Sequence, residues 1–209
     1  MGRIDASESL AAEPIAWDHE PDPGFTQVYA DPLPYPSSVE TAFEVYREAD
    51  LSEIDKPDRT RLYDEAYRSE LRKMVDHVIA VEGPVYFDVL VDRVSRAHSF
   101  QRAKTAIRDI ITSALGRGRF LQTHDDGHVL IWPAGADTNA LRVWRGTGSR
   151  GHHEVPLVEL ASLAKPLVAG SLDDEIVLRA MQEKLHLARL TSSTRERLQR
   201  ALEIARNTG

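Results

Sequence analysis

Apolar residues in the middle of the chain recur at spacings of three and four over three consecutive segments, which is the pattern of amphipathic helices. The pattern predicts helices over residues 58–81, 86–97 and 101–115. The Gly83-Pro84 pair separates the first two helices, because neither residue suits a helix interior. The residues at 98–100 predict a tight turn between the second and third helices.

Two short β-rich runs follow the third helix, at residues 119–123 and 128–132. The Asp126-Gly127 pair between them is a strong signal for a two-residue hairpin turn. Three helices followed by a β-hairpin is the element order of a winged helix-turn-helix. The sequence therefore predicts a mainly α fold with a small β-hairpin, in the α+β class, with the winged helix-turn-helix domain over residues 58–135.

The segments on either side of this domain differ from it in composition. Residues 1–57 are predicted to form an acidic, proline-rich strap with a short helix at 40–50, since six of the eleven prolines lie within the first 38 residues. Residues 136–154, rich in glycine and small polar residues, are predicted to be a linker with a short strand near 141–144. Residues 155–209 are predicted to form a C-terminal helical half, with helices at 156–168, 172–185 and 192–207 and capping patterns at 171–174 and 193–196.

An internal repeat relates the two helical regions. Residues 89–115 align with residues 176–202 without a gap, an alignment that pairs Arg102 with Arg189. Both copies contain an apolar helix, a short turn and a second helix that bears an arginine. The second copy reaches Gly209 where a hairpin would begin, so we expect a second, wingless three-helix unit rather than a long repeat array.

Charged residues are distributed unevenly along the chain, which has a net charge of −7. Residues 1–92 hold 8 basic and 21 acidic side chains, whereas residues 93–209 hold 18 basic and 12 acidic ones. The densest basic stretch is residues 93–119, with seven cations and one acid, Asp109. Such asymmetry is typical of a basic functional module with an acidic tail. It also leads to an autoinhibition hypothesis, in which the acidic residues 1–38 compete for the basic face.

The polar face of the third predicted helix carries the chemistry of DNA recognition. Its side chains recur at steps of three and four opposite the apolar stripe: Gln101, Lys104, Thr105, Arg108 and Thr112. Arginine and lysine bind phosphate oxygens, and arginine and glutamine also bind base edges. The second helix of a helix-turn-helix pair enters the major groove, so this helix is predicted to contact double-stranded DNA.

Residues around that helix complete the candidate DNA-binding set. Neighbouring arginines are predicted to contact phosphates, and the histidines of the hairpin tip are predicted to flank them. The second copy offers weaker candidates, because glutamates dilute its polar face. The candidates are Arg93, Arg96, Gln101, Arg102, Lys104, Thr105, Arg108, Thr112, Arg117, Arg119, His124 and His128, with Arg189, Thr191, Ser192 and Arg195 in the second copy.

Several classes of site lack the residues that they need. The chain has no cysteine, which excludes disulfides, thiolate zinc sites and thiol nucleophiles. It has no phosphate-loop motif, and the glycines of residues 146–151 fit a linker better than a nucleotide site. The histidines near the hairpin and at 152–153 fit solvated or DNA-facing roles better than metal ligation. We therefore expect no enzyme activity, cofactor or metal, and a cytoplasmic protein without a signal peptide or membrane segment.

Several short motifs carry a likeness to a known domain. They are the Glu82-Gly83-Pro84-Val85 step with the apolar residues before it, Arg93-Val94, residues 100–108, residues 130–133 and residues 155–161. Through them, residues 67–132 resemble the uncharacterised C-terminal domain of large bacterial fusion proteins, in which a superfamily 1 helicase and a Vsr-like endonuclease precede it. The resemblance implies a role beside DNA-processing enzymes, in defence against foreign DNA.

Two functions remain open on this reasoning, besides a third, a nuclease with a cryptic acidic site. The first is a non-catalytic DNA-binding winged-helix module, accessory to a helicase or nuclease. The alternative is a protein-interaction or dimerisation module, in which the strap and the C-terminal half pack on a partner enzyme or a second copy without direct DNA contact. The coincidence of basic charge with the third helix favours the first function, and the acidic first half favours the alternative.

Overall fold

A computed structural model describes residues 45–170 and 173–208. The described residues form six α-helices and three strands, which confirms the α+β class. Residues 1–44 of the predicted strap, and with them the autoinhibition hypothesis, lie outside the described residues, as does Ser171 of the first capping pattern. The elements are α1 (Arg68–Glu82), β1 (Val85–Tyr86), α2 (Phe87–Ala97), α3 (Thr105–Leu115), β2 (Gln122–Asp125), β3 (His128–Ile131), α4 (Leu157–Ala169), α5 (Asp174–Lys184) and α6 (Ser192–Asn207), with single 3-10 turns at Leu51–Glu53, Glu65–Tyr67 and His152–Glu154.

The elements α1 to β3 form the first helical set, in which three helices pack against an antiparallel sheet. β3 lies in the middle of the sheet, between β1 and β2. Asp126 and Gly127 join β2 to β3 with φ angles of 56° and 80°, which is the positive-φ conformation of a two-residue hairpin turn. The sequence pattern does not predict β1, because this strand is two residues long and its Val85 pairs with the distant Ile131.

One hydrophobic core holds the first helical set together and fixes the position of α3. α3 contributes Ile107 and Ile111 to this core, and both are wholly buried. Burying a side chain of this size stabilises the fold by about 1.5–3 kcal/mol. The other large, wholly buried side chains of this core are Leu62, Tyr67, Leu71, Met74, Ile79, Leu90, Leu130, Ile131 and Trp132.

The chain before α1 is less helical than its sequence pattern predicts. α1 begins at Arg68 rather than at residue 58. Asp58 accepts hydrogen bonds from the Thr60 amide and hydroxyl, at 2.8 and 2.7 Å, in a local turn that competes with the helix. Residues 45–50, predicted to be helical, are not, and the Tyr46 amide instead donates to the Arg145 carbonyl at 2.8 Å.

The second helical set, α4 to α6, has a separate core. α6 spans the predicted residues, and α4 and α5 begin and end within two residues of their predicted bounds. The capping residue of α6 is Thr191 rather than Ser193: its hydroxyl accepts from the Thr194 amide at 3.2 Å. Residues 141–144, which precede this set, lie within the part of the chain that the structure describes and do not form the predicted strand.

Two pairs of consecutive helices, α2 with α3 and α5 with α6, follow the internal repeat. Equivalent residues of the two copies are 87 positions apart. The first and last residues of α5 are the equivalents of the first and last residues of α2. Likewise, Ser192, the first residue of α6, is the equivalent of Thr105, the first residue of α3. Ser99 and its equivalent His186 both have positive φ, 61° and 53°. The sets differ around α5, where Ile176 is 48% exposed while its equivalent Val89 is 6% exposed.

Two arginines of the predicted linker surround a buried carboxylate. Glu159 of α4 is wholly buried, and Arg145 and Arg150 bind it at 3.0 and 2.7 Å. Burial alone would raise the pKa of Glu159, but the hydrogen bonds and charges of the arginines outweigh burial and hold it below its ordinary value. Residues 145–150 are thus a packed part of the fold.

A second buried carboxylate connects the chain before α1 to the first helical set. Glu82 accepts hydrogen bonds from the Tyr46 hydroxyl, from the Ala49 amide at 3.1 Å and from Arg93 Nε at 3.2 Å. The ring of Tyr46 also packs against Arg150, whose guanidinium lies 3.8 Å from the ring centroid. Tyr46 therefore lies between the two buried carboxylate clusters.

Candidate nucleic-acid interface

Two of the predicted cations lie in the exposed turn that connects α2 to α3. α3 begins at Thr105, so Gln101 and Lys104, which were predicted to lie on its polar face, precede the helix, as Arg102 does. Arg102 and Lys104 are exposed, and neither has an ion-pair partner within 4 Å among the residues described. Their charges are available to a ligand.

Arg59 joins this turn, although its position in the sequence does not suggest it. Its guanidinium lies 4.6 Å from the centroid of the Phe100 ring, and its Nη1 lies 3.5 Å from the Ser99 carbonyl oxygen. No sequence signal identifies this contact, because Arg59 lies some forty positions before the turn. We call Arg59, Arg102 and Lys104 the basic turn.

The helices α3 and α6 differ in the side chain at the N-cap position. Lys104 occupies the N-cap position of α3, and its side chain caps no amide. At the equivalent position of α6, the Thr191 hydroxyl caps the helix. The first N–H groups of a helix have no partner within the helix and attract anions. The amide that Thr191 caps in α6 has its equivalent in Ile107 of α3, which donates to the Lys104 carbonyl at 2.9 Å. The two helix starts therefore differ in the residue at the N-cap, a lysine in the first helical set and a threonine in the second.

Arg93 does not belong to the surface set that the sequence predicted. Its side chain is 4% exposed, and its Nε donates to both carboxylate oxygens of Glu82 at 3.2 Å. Its Nη2 donates to the Tyr46 hydroxyl at 3.1 Å. The prediction that Arg93 binds phosphate is wrong, because a ligand cannot reach this guanidinium without opening the buried cluster.

Two further predicted cations have acidic partners elsewhere in the fold. Arg96 pairs with Glu48 at 3.4 Å. Arg119 pairs with Asp76 at 2.6 Å and donates to the Ala114 carbonyl at the end of α3, at 3.2 Å. These interactions give Arg119 a structural role in capping α3, in place of the predicted binding to phosphate. Arg117, beyond the C-terminal end of α3, remains exposed and without an ion pair among the described residues.

Asp88 of α2 binds a third predicted cation and one histidine of the hairpin. Arg108 Nη1 lies 2.7 Å from Asp88, and His128 Nδ1 lies 3.3 Å from it. Partial burial favours the neutral acid, but the hydrogen bonds from Arg108 and His128 outweigh it and lower the pKa of Asp88. Arg108 and His128 are thus paired with Asp88, although 41% and 58% of their side chains stay exposed. His124 is exposed as well.

The hairpin turn binds the second helical set, contrary to its predicted position beside DNA. Asp126 pairs with Arg200 and, at 3.4 Å, with Arg197, both from α6. Asp125 accepts a hydrogen bond from the Leu157 amide at the start of α4, at 2.8 Å, and one from the buried Tyr86 hydroxyl, also at 2.8 Å. The acidic turn thus caps α4 and connects the two helical sets.

We expect Asp125→Ala to lower the free energy of unfolding by about 2–3 kcal/mol, because the Tyr86 hydroxyl and the Leu157 amide would be left without a charged acceptor in a buried site. Urea unfolding followed by circular dichroism measures this change. Asp92→Ala removes an exposed carboxylate from α2 and is the matched control. Equal midpoints for the two variants would show that the turn does not stabilise the fold.

The second-copy candidates are less available than those of the basic turn. Arg195 forms a two-point ion pair with Glu175, at 2.5 and 3.2 Å. The hydroxyl of Thr191 is engaged in capping, and Ser192 is exposed beside it. Arg189, the equivalent of Arg102, is exposed and has no ion pair within the described ranges.

Metal ions need several ligating side chains in one place. Among the described residues, no group of three or more histidine, aspartate or glutamate side chains is placed to hold one.

None of the described helices combines the length and apolar character needed to cross a membrane.

Comparison with known protein families relates part of the chain to an uncharacterised domain. A family model described as "Protein of unknown function (DUF3320)" matches residues 60–109, about a quarter of the chain. No curated protein and no solved structure matches the chain significantly. The matched residues begin just before α1 and end within α3, so they include Arg102 and Lys104 of the basic turn but not Arg59. Over these residues, the chain is similar to an uncharacterised domain family.

Proposed function

We propose that the first helical set is a non-catalytic winged helix-turn-helix module that binds double-stranded DNA through the basic turn. The observation that carries this proposal is that Arg102 and Lys104 lie in the exposed turn before α3 and that Arg59 packs on the same turn, with no acidic partner for any of the three among the described residues. Cations of this kind bind the phosphate oxygens of the DNA backbone.

The element order of the first helical set supports the winged-helix part of the proposal. Three helices are followed by the β2–β3 hairpin, and β1 before α2 completes the sheet. In this arrangement α3 is the recognition helix, and the basic turn lies at its N-terminus. The hairpin is the wing, and its turn is held by α6 rather than by DNA.

A comparison of the two helix-turn-helix pairs also supports assigning DNA binding to the first pair, α2 and α3, rather than to the second, α5 and α6. The backbones of the two turns are alike, but Lys104 is replaced by a capping threonine in the second pair. A phosphate placed before α3 would meet two exposed cations, Arg102 and Lys104, whereas one placed before α6 would meet a single exposed arginine, Arg189.

We expect the triple variant Arg59→Ala/Arg102→Ala/Lys104→Ala to bind a short DNA duplex about 100-fold more weakly than the wild type at low salt, because three cations that neutralise phosphates are removed. The slope of log affinity against log salt should fall in magnitude by about 2.7, at about 0.9 for each phosphate that is no longer neutralised. Fluorescence anisotropy of a labelled duplex between about 50 and 200 mM salt measures both quantities.

The control variant is Arg47→Ala/Lys56→Ala/Lys184→Ala, which removes the same charge from positions outside the first helix-turn-helix pair. It should retain most of the affinity and of the salt slope. Equal reductions in the two triple variants, or no duplex binding by the wild type at low salt, would contradict the proposed function.

The cellular context of this module is also part of the proposal. A place beside a helicase or nuclease that acts on foreign DNA follows from the resemblance of residues 67–132 to the helicase–endonuclease fusion proteins. A module without catalytic residues would contribute duplex affinity to such an enzyme.

A further inference from the structure

The outward face of α3 carries short side chains. Its exposed residues are Thr105, Ala106, Asp109, Thr112 and Ser113. None of them is an arginine, lysine, asparagine or glutamine, which are the side chains that make two-point hydrogen bonds with guanine or adenine. The helix that would face the major groove therefore has few groups that distinguish one base pair from another.

Arg108 is the one long basic side chain on α3, and the fold holds it against α2. Its guanidinium bonds Asp88 at 2.7 Å and lies 5.1 Å from the centroid of the Phe87 ring. Reading a guanine would require Arg108 to leave both groups and would leave Asp88 paired only with His128. The Thr112 hydroxyl, for its part, donates to the Arg108 carbonyl at 2.7 Å.

The longer polar side chains beside α3 lie in the turn before the helix or are bound elsewhere in the fold. Gln101, the one glutamine predicted for this face, lies in the turn before the helix. The hairpin turn is bound to α6 through Asp126. The rings of Phe100 and Phe87 are partly buried, and each has a guanidinium packed against it, from Arg59 and Arg108 respectively. These two rings are therefore poor platforms for stacking the bases of a single strand.

We infer that the basic turn binds the phosphate backbone of duplex DNA with little dependence on base sequence. This inference rests on the proposed function and specifies its ligand: the shape and charge of the duplex are recognised, and the bases are not. Arg59, Arg102 and Lys104 supply the affinity, while α3 places short side chains against the groove.

The test measures binding of the full chain to three duplexes of equal length, rich in A·T, rich in G·C and mixed, and to one single strand. The three duplex affinities should agree within about threefold, since a site that reads bases binds about tenfold or more weakly for each mismatched pair. The single strand should bind about tenfold more weakly, because the rings of Phe87 and Phe100 are partly buried and packed against arginines.

Two single variants complete the experiment. Arg108→Ala should leave every duplex affinity within about threefold of the wild type, whereas Arg102→Ala should lower all of them by a similar factor of about five. Circular dichroism of Arg108→Ala tests whether this variant is folded. The comparison of wild-type affinities for the three duplexes and the single strand does not depend on the variant.

The outcomes separate the inference from the proposed function. Duplex binding with a preference of about 100-fold for one sequence, or a preference that Arg108→Ala removes, would overturn the inference and leave the proposed function in place. Tighter binding to the single strand would also overturn it. No binding to any duplex would overturn both.

Discussion

Replacing Glu159 with glutamine is expected to lower the free energy of unfolding by about 3–5 kcal/mol, the usual cost of removing one member of a buried ion pair. The substitution keeps the shape of the side chain but leaves Arg145 and Arg150 without a counter-charge. Arg150 is the more affected, because its side chain is 3% exposed. Urea unfolding monitored by circular dichroism measures the change.

The control for this variant is Glu203→Gln, an exposed position on α6, which should alter stability by about 0.5 kcal/mol or less. The pH dependence provides a second readout. Because the pKa of Glu159 is lower in the folded chain than its ordinary value in the unfolded chain, its ionised form stabilises the fold at pH values above that ordinary pKa. This contribution disappears as the pH falls through the folded pKa, and Glu159→Gln should lack that part of the acid transition. An unchanged acid transition would contradict the role given to this carboxylate.

Replacing Glu82 with alanine is expected to cost a similar amount, about 3–5 kcal/mol, because Arg93 would remain buried without its carboxylate. The Tyr46 hydroxyl and the Ala49 amide would be deprived of their acceptor at the same time. The segment before α1 should therefore detach, and limited proteolysis near residues 46–53 should become faster than in the wild type. Unfolding midpoints and cleavage rates measure the two effects.

Two variants show whether the effect belongs to the buried cluster. Glu48→Gln changes an acid that also lies near Arg93, at 3.5 Å, but is partly exposed, and it should cost about 1 kcal/mol or less. Tyr46→Phe removes only the hydroxyl and should cost about 1–2 kcal/mol. A stable Glu82→Ala variant whose segment 46–53 resists cleavage would show that Glu82 does not hold this segment.

The helices whose bounds were predicted well are those whose signals are local. α2 and α6 end where their apolar spacing ends, and the turn after α2 contains a residue with positive φ, Ser99. α1 was predicted ten residues too long because the spacing continues through residues 58–67, where the hydrogen bonds of Asp58 favour a turn. β1 has no local signal, since its pairing partner is β3.

The sequence predicts two members of the candidate interface, Arg102 and Lys104, but not the third, Arg59. Local charge indicated the region of residues 93–119, and Arg102 and Lys104 within it are indeed exposed. Arg93 and Arg119 belong to the same stretch by sequence, but Glu82 and Asp76 hold them in the fold. A side chain's partners can lie tens of residues away, so spacing along one helix does not reveal them.

The sequence by itself determined the helices, the hairpin turn, the repeat and the concentration of positive charge, because each of these depends on neighbouring residues. Only the tertiary structure decided which charges are free. Of the cations gathered around α3, the fold neutralises Arg93, Arg108 and Arg119 with acids from α1 and α2, and it brings Arg59 to the turn. The physical reason is that an ion pair forms wherever two opposite charges come within a few ångströms, whatever their separation along the chain.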